Sequence, residues 1–213
     1  LNYASADPGN PDSSDMQIAG LILNGVAQPD GVYSAATHPD FFSGSGEIVV
    51  GTPAPNTPPS IAFDPAPPTP LIIRPGFTKS FGFDVSDPEG GSIDILTANL
   101  GGGTSVVSFT SPLSGPVGAR TVPVTGVTTG SAITLEFTAR DSALALSMPV
   151  SSTVAVTNIA DIDEDGDVDA TDINTIVAAF GLTVSDPADL NADNQVDLLD
   201  IATGLANLGF VLP

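Results

Sequence analysis

With 213 residues, 41% of them hydrophobic and only 14% charged, the chain is long enough for two or three small domains with cores of their own. Its net charge of −21, from 25 acids against four bases, excludes nucleic-acid backbones and anionic membranes as partners, and no apolar run is long enough to insert into a bilayer. Cys is absent, which excludes a disulfide framework, a thiolate metal site and a Cys nucleophile, while 22 Gly and 20 Pro among short Thr, Ser and Val runs predict a mostly β, multi-domain chain.

Residues 1–51 predict the C-terminal end of a β-rich domain. Short strands are expected at Ile18, Leu21–Leu23, Val32–Tyr33 and Ile48–Val50, with Asn24-Gly25 and Asp30-Gly31 as hairpin turns. So short a segment buries little by itself. The chain begins at Leu1, without an initiator Met or a signal peptide, so a mature product or a piece of a longer protein is expected. The run L-N-G-V-A-Q-P-D-G-V-Y, followed by F-F-S-G-S-G-E-I-V-V, resembles segments that close large secreted β-solenoid or autotransporter-like bacterial proteins.

Residues 52–59 form a Pro-rich linker, stiff and extended by composition. From 60 to 158 the apolar runs are Ile61–Phe63, Leu71–Ile73, Thr78–Val85, Ser92–Ala98, Ser105–Thr110, Thr121–Val124, Ala132–Ala139 and Ser147–Thr157. Seven or eight strands at this spacing predict an antiparallel sandwich. The N-T-P-P opening, the V-S-D-P-E-G-G turn and the late A-R-D-S resemble Ig-like and cadherin-like modules of bacterial surface proteins. Asp84, Asp87, Glu89 and Asp141 could line a cadherin-like calcium site, but a polar sandwich turn is the favoured reading.

The segment 159–213 carries 12 of the acids and no base, and a carboxylate cluster without counter-charge calls for a cation. Asp161–Asp172 reads D-I-D-E-D-G-D-V-D-A-T-D, and Asp189–Asp200 reads D-L-N-A-D-N-Q-V-D-L-L-D. Oxygen-bearing side chains occupy positions 1, 3, 5, 9 and 12 of each, which is the spacing a calcium loop requires. Helical periodicity follows each loop: Ile173, Ile176, Val177 and Phe180 after the first, Ile201, Leu205 and Leu208 after the second. Gly181 and Gly209 end them. A shift of 28 superposes the two units, which are expected to pack their apolar stripes together.

Two loop–helix units, each loop ending in Asp and each lacking a preceding helix, resemble a dockerin domain, a small all-α calcium-binding fold. That resemblance implies two Ca2+ ions and attachment to a cohesin-like protein. Carried onto this sequence, it implies ligation in the first loop by Asp161, Asp163, Asp165, the Asp167 backbone carbonyl, Asp169 directly or through water, and Asp172. The second loop would use Asp189, Asn191, Asp193, the Gln195 carbonyl, Asp197 and Asp200. Gly166 permits the sharp turn at position 6, and Asn194 replaces it in the second loop, which has one ligand carboxylate fewer and is expected to bind more weakly. The implied partner surface is Ala170-Thr171, Leu198-Leu199, Val177-Ala178 and Leu205-Ala206; it is apolar and lacks the Ser-Thr pair and bases of the best-known recognition patterns.

No catalytic residue is expected. His38 reads as a loop residue, no G-x-S-x-G occurs, and Gly101-Gly102-Gly103 reads as a turn. The expectation is therefore a non-catalytic docking or anchoring region of a secreted or cell-surface bacterial protein. Two alternatives are the accessory modules of a polysaccharide-degrading glycoside hydrolase, with polysaccharide reached only through the parent protein, and a calcium-stiffened adhesin-like surface protein.

Overall fold

The computed structural model describes residues 16–43, 46–51, 55–183 and 186–213. Fourteen strands and two helices follow in chain order: β1 Met16–Ile18, β2 Leu21–Leu23, β3 Val26–Gln28, β4 Gly31–Ser34, β5 Glu47–Val50, β6 Ser60–Phe63, β7 Leu71–Ile73, β8 Thr78–Ser86, β9 Ser92–Gly101, β10 Val106–Phe109, β11 Leu113–Pro116, β12 Gly118–Thr128, β13 Gly130–Arg140, β14 Val150–Val156, α1 Ala170–Ala178 and α2 Leu198–Asn207. The chain divides into two compact units. One is the N-terminal segment up to Thr57 with Ser142–Ala145; the other is Pro58–Asp141 with Leu146–Pro213.

In the first unit β1, β5 and β4 form one small sheet, and β2 and β3 another. Asn24 and Gly25, with φ of 50° and 79°, make the tight turn that the right-handed strand twist favours between β2 and β3. Asp30-Gly31 is not a hairpin turn. Gly31 is already the first residue of β4, and that strand pairs with β5 rather than with β3. Tyr33 and Val50 are the buried apolar residues of this sheet. Residues 52–54 of the Pro-rich linker lie outside the described residues.

The second unit contains a two-sheet sandwich. One sheet has the order β10-β12-β8-β6 and the other β11-β9-β13-β14-β7. Naming β6, β8, β9, β10, β12, β13 and β14 as A, B, C, D, E, F and G gives A-B-E-D against C-F-G, the sheet composition of an Ig-like domain. One pairing departs from the antiparallel expectation: β7 runs parallel to β14. Alternation in β8 and β13 turns Phe81, Phe83, Val85, Ile133, Leu135 and Phe137 inward, each no more than 1% exposed. Phe63, Phe81, Phe83 and Phe137 form the centre of the core, with ring centroids 4.9 to 5.9 Å apart.

β11 carries Gly115 and Pro116 and has no apolar alternation, so its sequence does not announce a strand. It pairs with β9, and Arg120 holds it there by donating to the carbonyls of Leu113, Pro116 and Ile93. Asp84, Asp87, Glu89 and Asp141 do not form a metal-binding group among the described residues. Asp87 instead accepts from the Glu89 N–H, as a polar turn does.

Candidate metal centre

The last sandwich strand runs into the first acidic loop with almost no spacer. Thr157 follows β14, donates its N–H to the Ile73 carbonyl of β7, and donates its hydroxyl to Asp161 Oδ2 at 2.6 Å. Asp161 is completely buried. Its Oδ2 also accepts from the Gly166 N–H at 3.0 Å, which draws the loop into a tight turn. Its Oδ1 is buried with no protein partner, as is Oδ1 of Asp167.

The remaining carboxylates are placed by short local bonds. Asp163 accepts from the Asp165 N–H, Asp165 from that of Asp167, and Asp169 from that of Thr171. Asp172, also buried, accepts from Ile162 and Asp163 through one oxygen and from Asp169 through the other. Asp169 and Asp172 thereby form a capping box that starts α1. Carboxylate oxygens of Asp161, Asp163 and Asp165 lie within 4.8 Å of one another, as do those of Asp167, Asp169 and Asp172. The Asp167 side chain therefore groups with those of Asp169 and Asp172, whereas the dockerin resemblance implies only its backbone carbonyl.

The second loop repeats most of this network 28 residues on, but Asp189 Oδ1 accepts from the Asp193 N–H where Asp161 Oδ1 has no partner. Asp189 Oδ2 accepts from Asn194, Asn191 from Asp193, Asp193 from Gln195, Asp197 from Leu199, and Asp200 from Leu190 and Asp197. Asp197 and Asp200 are again a capping box, for α2. Positions 4 and 6 take positive φ in both loops: Glu164 and Gly166 at 57° and 107°, Ala192 and Asn194 at 58° and 67°. Asn194 thus adopts the left-handed backbone expected of it, whereas Glu164 and Ala192 carry no residue signal for theirs. Asn158 and Asp186, which lie outside both loop motifs, also correspond. Each caps the N–H two residues on, Ala160 or Ala188, ahead of its loop. Residues 191–195 are exposed, so the second loop is more open than the first.

Each loop's central Val pairs with the segment behind the opposite helix. Val196 donates to Leu182 and accepts from Gly181, while Val168 donates to Phe210 and accepts from Gly209. The two repeats therefore brace each other reciprocally. Ile176, Ala188 and Val196 form the core between them, with Ile162, Ile173, Leu190 and Ile201 packed around it. The helical stripe buries less than its periodicity implies: Val177, Phe180, Leu205 and Leu208 stay about half exposed. Gly204 explains the narrow contact. A Cβ there would lie 2.6 Å from Ile176 Cδ1 and 3.0 Å from Ile173 Cδ1, so the helices meet at that residue. Gly204→Val is expected to overpack this contact and destabilise the helix pair by about 1–3 kcal/mol, read in a thermal melt followed by helical circular dichroism.

Electrostatically the first loop is strained towards protonation or a cation. Burial, opposed by the bonds from Thr157 and Gly166 and reinforced by Asp172 and Asp165, raises the Asp161 carboxyl above the usual carboxylate range. Burial and neighbouring carboxylates also raise Asp163 and Asp167. Asp169 is lowered, first by the Thr171 N–H. An all-oxygen donor set with buried, unpartnered carboxylate oxygens fits a hard divalent ion such as Ca2+.

No family model and no curated protein matches this chain. Among solved structures, the fibronectin(III)-like modules of Clostridium thermocellum CbhA match at 15% identity and TM-score 0.33, covering 53% of this chain and 52% of that one. A mutant of the SrpA adhesin from Streptococcus sanguinis matches at 19% and 0.38, covering 59% and 77%. Domains 4 and 5 of the S-layer protein SbsC match at 21% and 0.29, covering 52% and 57%. The chain thus spans about half the length of the first of these. The Ig-like assignment stands on the sandwich's own strand order. Among the described residues no helix is long and apolar enough to cross a membrane.

Proposed function

We propose that this chain is a non-catalytic, calcium-binding docking region of a secreted or cell-surface bacterial protein, with a dockerin-type tail that attaches to a cohesin-like partner. The observation that carries the reading is the buried, unpartnered Asp161 Oδ1 inside a carboxylate network that recurs 28 residues later. Asp161, Asp163, Asp165, the Asp167 carbonyl, Asp169 and Asp172 would hold one ion; Asp189, Asn191, Asp193, the Gln195 carbonyl, Asp197 and Asp200 would hold the second. A bound Ca2+ neutralises the mutual repulsion of these groups and so favours the closed loops.

Docking is supported by what the two repeats leave in solvent. Leu198 and Leu199 are 71% and 58% exposed, and Ala170 and Thr171, their equivalents in the first repeat, are exposed too. Val177 and Leu205 are about half exposed as well, and the second repeat, with three exposed Leu, offers the more apolar surface. Immobilised cohesin modules are expected to capture the chain in millimolar CaCl2 and release it in EGTA. Capture that persists undiminished in EGTA, or no capture by any module tested, counts against the docking role.

A further inference from the structure

The sandwich meets the tail through one buried cation. Arg74, which follows β7, is 3% exposed, and its guanidinium lies 3.9 Å over the Phe77 ring. Its Nη1 donates to two carbonyls, Ile159 at 3.3 Å and Pro187 at 2.9 Å. These two residues are 28 apart and stand two positions before the first residue of each loop. One side chain of the sandwich therefore grips the same point of both repeats, at the place where they meet. A guanidinium nitrogen carries two N–H groups in fixed directions, one for each carbonyl, and keeps its charge when buried.

Around this point the contact is continuous. Arg74 Nε lies 3.9 Å from Oε1 of Glu164, the left-handed residue of the first loop, and Glu164 also pairs with Lys79 of β8. A Cβ on Gly166 would lie 3.6 Å from Ile72 Cδ1 of β7. Asn158 donates to Asn207 in α2. Thr157 bonds Asp161 on one side and Ile73 on the other.

We infer that Arg74 is a positioning residue that joins both loops to the sandwich as one cooperative unit, so that calcium taken up by the loops stabilises the sandwich itself. The inference rests on the calcium reading above and not on the docking partner. Linkage gives its direction: a ligand that binds the closed loops stabilises whatever must be folded for them to close.

The test uses the full chain with CaCl2 or EGTA. In the wild type the sandwich and the loops are expected to unfold in one shared transition, which rises by about 5 °C or more with saturating calcium. Amide exchange in β9 and β13, which carry none of these contacts, is expected to slow about tenfold or more. Arg74→Met is expected to keep calcium uptake in calorimetry while the sandwich transition no longer moves with calcium. Arg74→Lys keeps the charge but not the reach and fixed N–H directions of Nη1, and is expected to behave like Arg74→Met. Calcium uptake by the wild type without slower exchange in β9 and β13 overturns the coupling and leaves the calcium reading standing. A calcium shift retained in full by Arg74→Met overturns the role of Arg74. Absence of any uptake overturns both readings together.

Discussion

Asp161→Asn is expected to change sign with the metal: it stabilises the protein in EGTA and destabilises it in calcium. In the absence of metal, the substitution removes a buried charge whose Oδ1 has no partner. The carboxamide oxygen can still accept from Gly166 and Thr157, as Oδ2 does now. In calcium the same change deletes a charged ligand from the most enclosed loop. Affinity at that loop should fall about 100-fold, equivalent to about 2.8 kcal/mol of calcium-derived stabilisation. Melts of both proteins in EGTA and in CaCl2 test this, and a substitution that destabilises equally in both would show Asp161 to be only a structural acceptor.

The same groups set an opposed pH dependence. Asp161, Asp163 and Asp167 have carboxyls raised above the ordinary value in the folded state. Their protonated forms therefore favour folding. In EGTA, stability from these groups is full below the ordinary Asp value of about 4 and is lost as pH rises through the raised values. In calcium the ligands must be ionised, so the stabilisation by metal grows over that same interval. The rise in melting temperature that calcium brings should thus grow with pH over that interval, which melts with and without the ion at each pH would show.

Phe137→Ala is expected to cost about 3–5 kcal/mol, the range for emptying an aromatic site in a close-packed core. Phe137 is fully buried, and its ring centroid lies 4.9 Å from Phe83 and 5.0 Å from Phe81, which belong to the facing sheet. The loss removes contacts between the two sheets, which backbone relaxation within one sheet cannot restore. Denaturant unfolding gives the value directly, and a loss below about 1 kcal/mol would mean that the sandwich collapses around the gap.

The two acidic loops were legible in the residues because a hard cation demands oxygen donors at short, fixed separations along one stretch of chain. Those separations survive in any tertiary setting. The strands of β8 and β13 were equally plain, since one buried face imposes a period of two on the side chains. Local periodicity overstated the helices: Val177, Phe180, Leu205 and Leu208 have the spacing of a core stripe but stand largely in solvent. How closely two helices approach depends on what faces them, and that is Gly204 against Ile173 and Ile176.

Taken alone, then, the order of residues determined where the β-sandwich region gives way to paired acidic loops, and which oxygen-bearing side chains each loop offers. Only the tertiary structure decided that β11 adds to β9 under the grip of Arg120, that β7 runs parallel to β14, and that Arg74 reaches two carbonyls lying 85 and 113 residues away along the chain. The reason is one of range. Ligand spacing and strand alternation are written within a dozen consecutive residues, whereas an arginine's acceptors are backbone carbonyls that every residue possesses, and only folding selects among them.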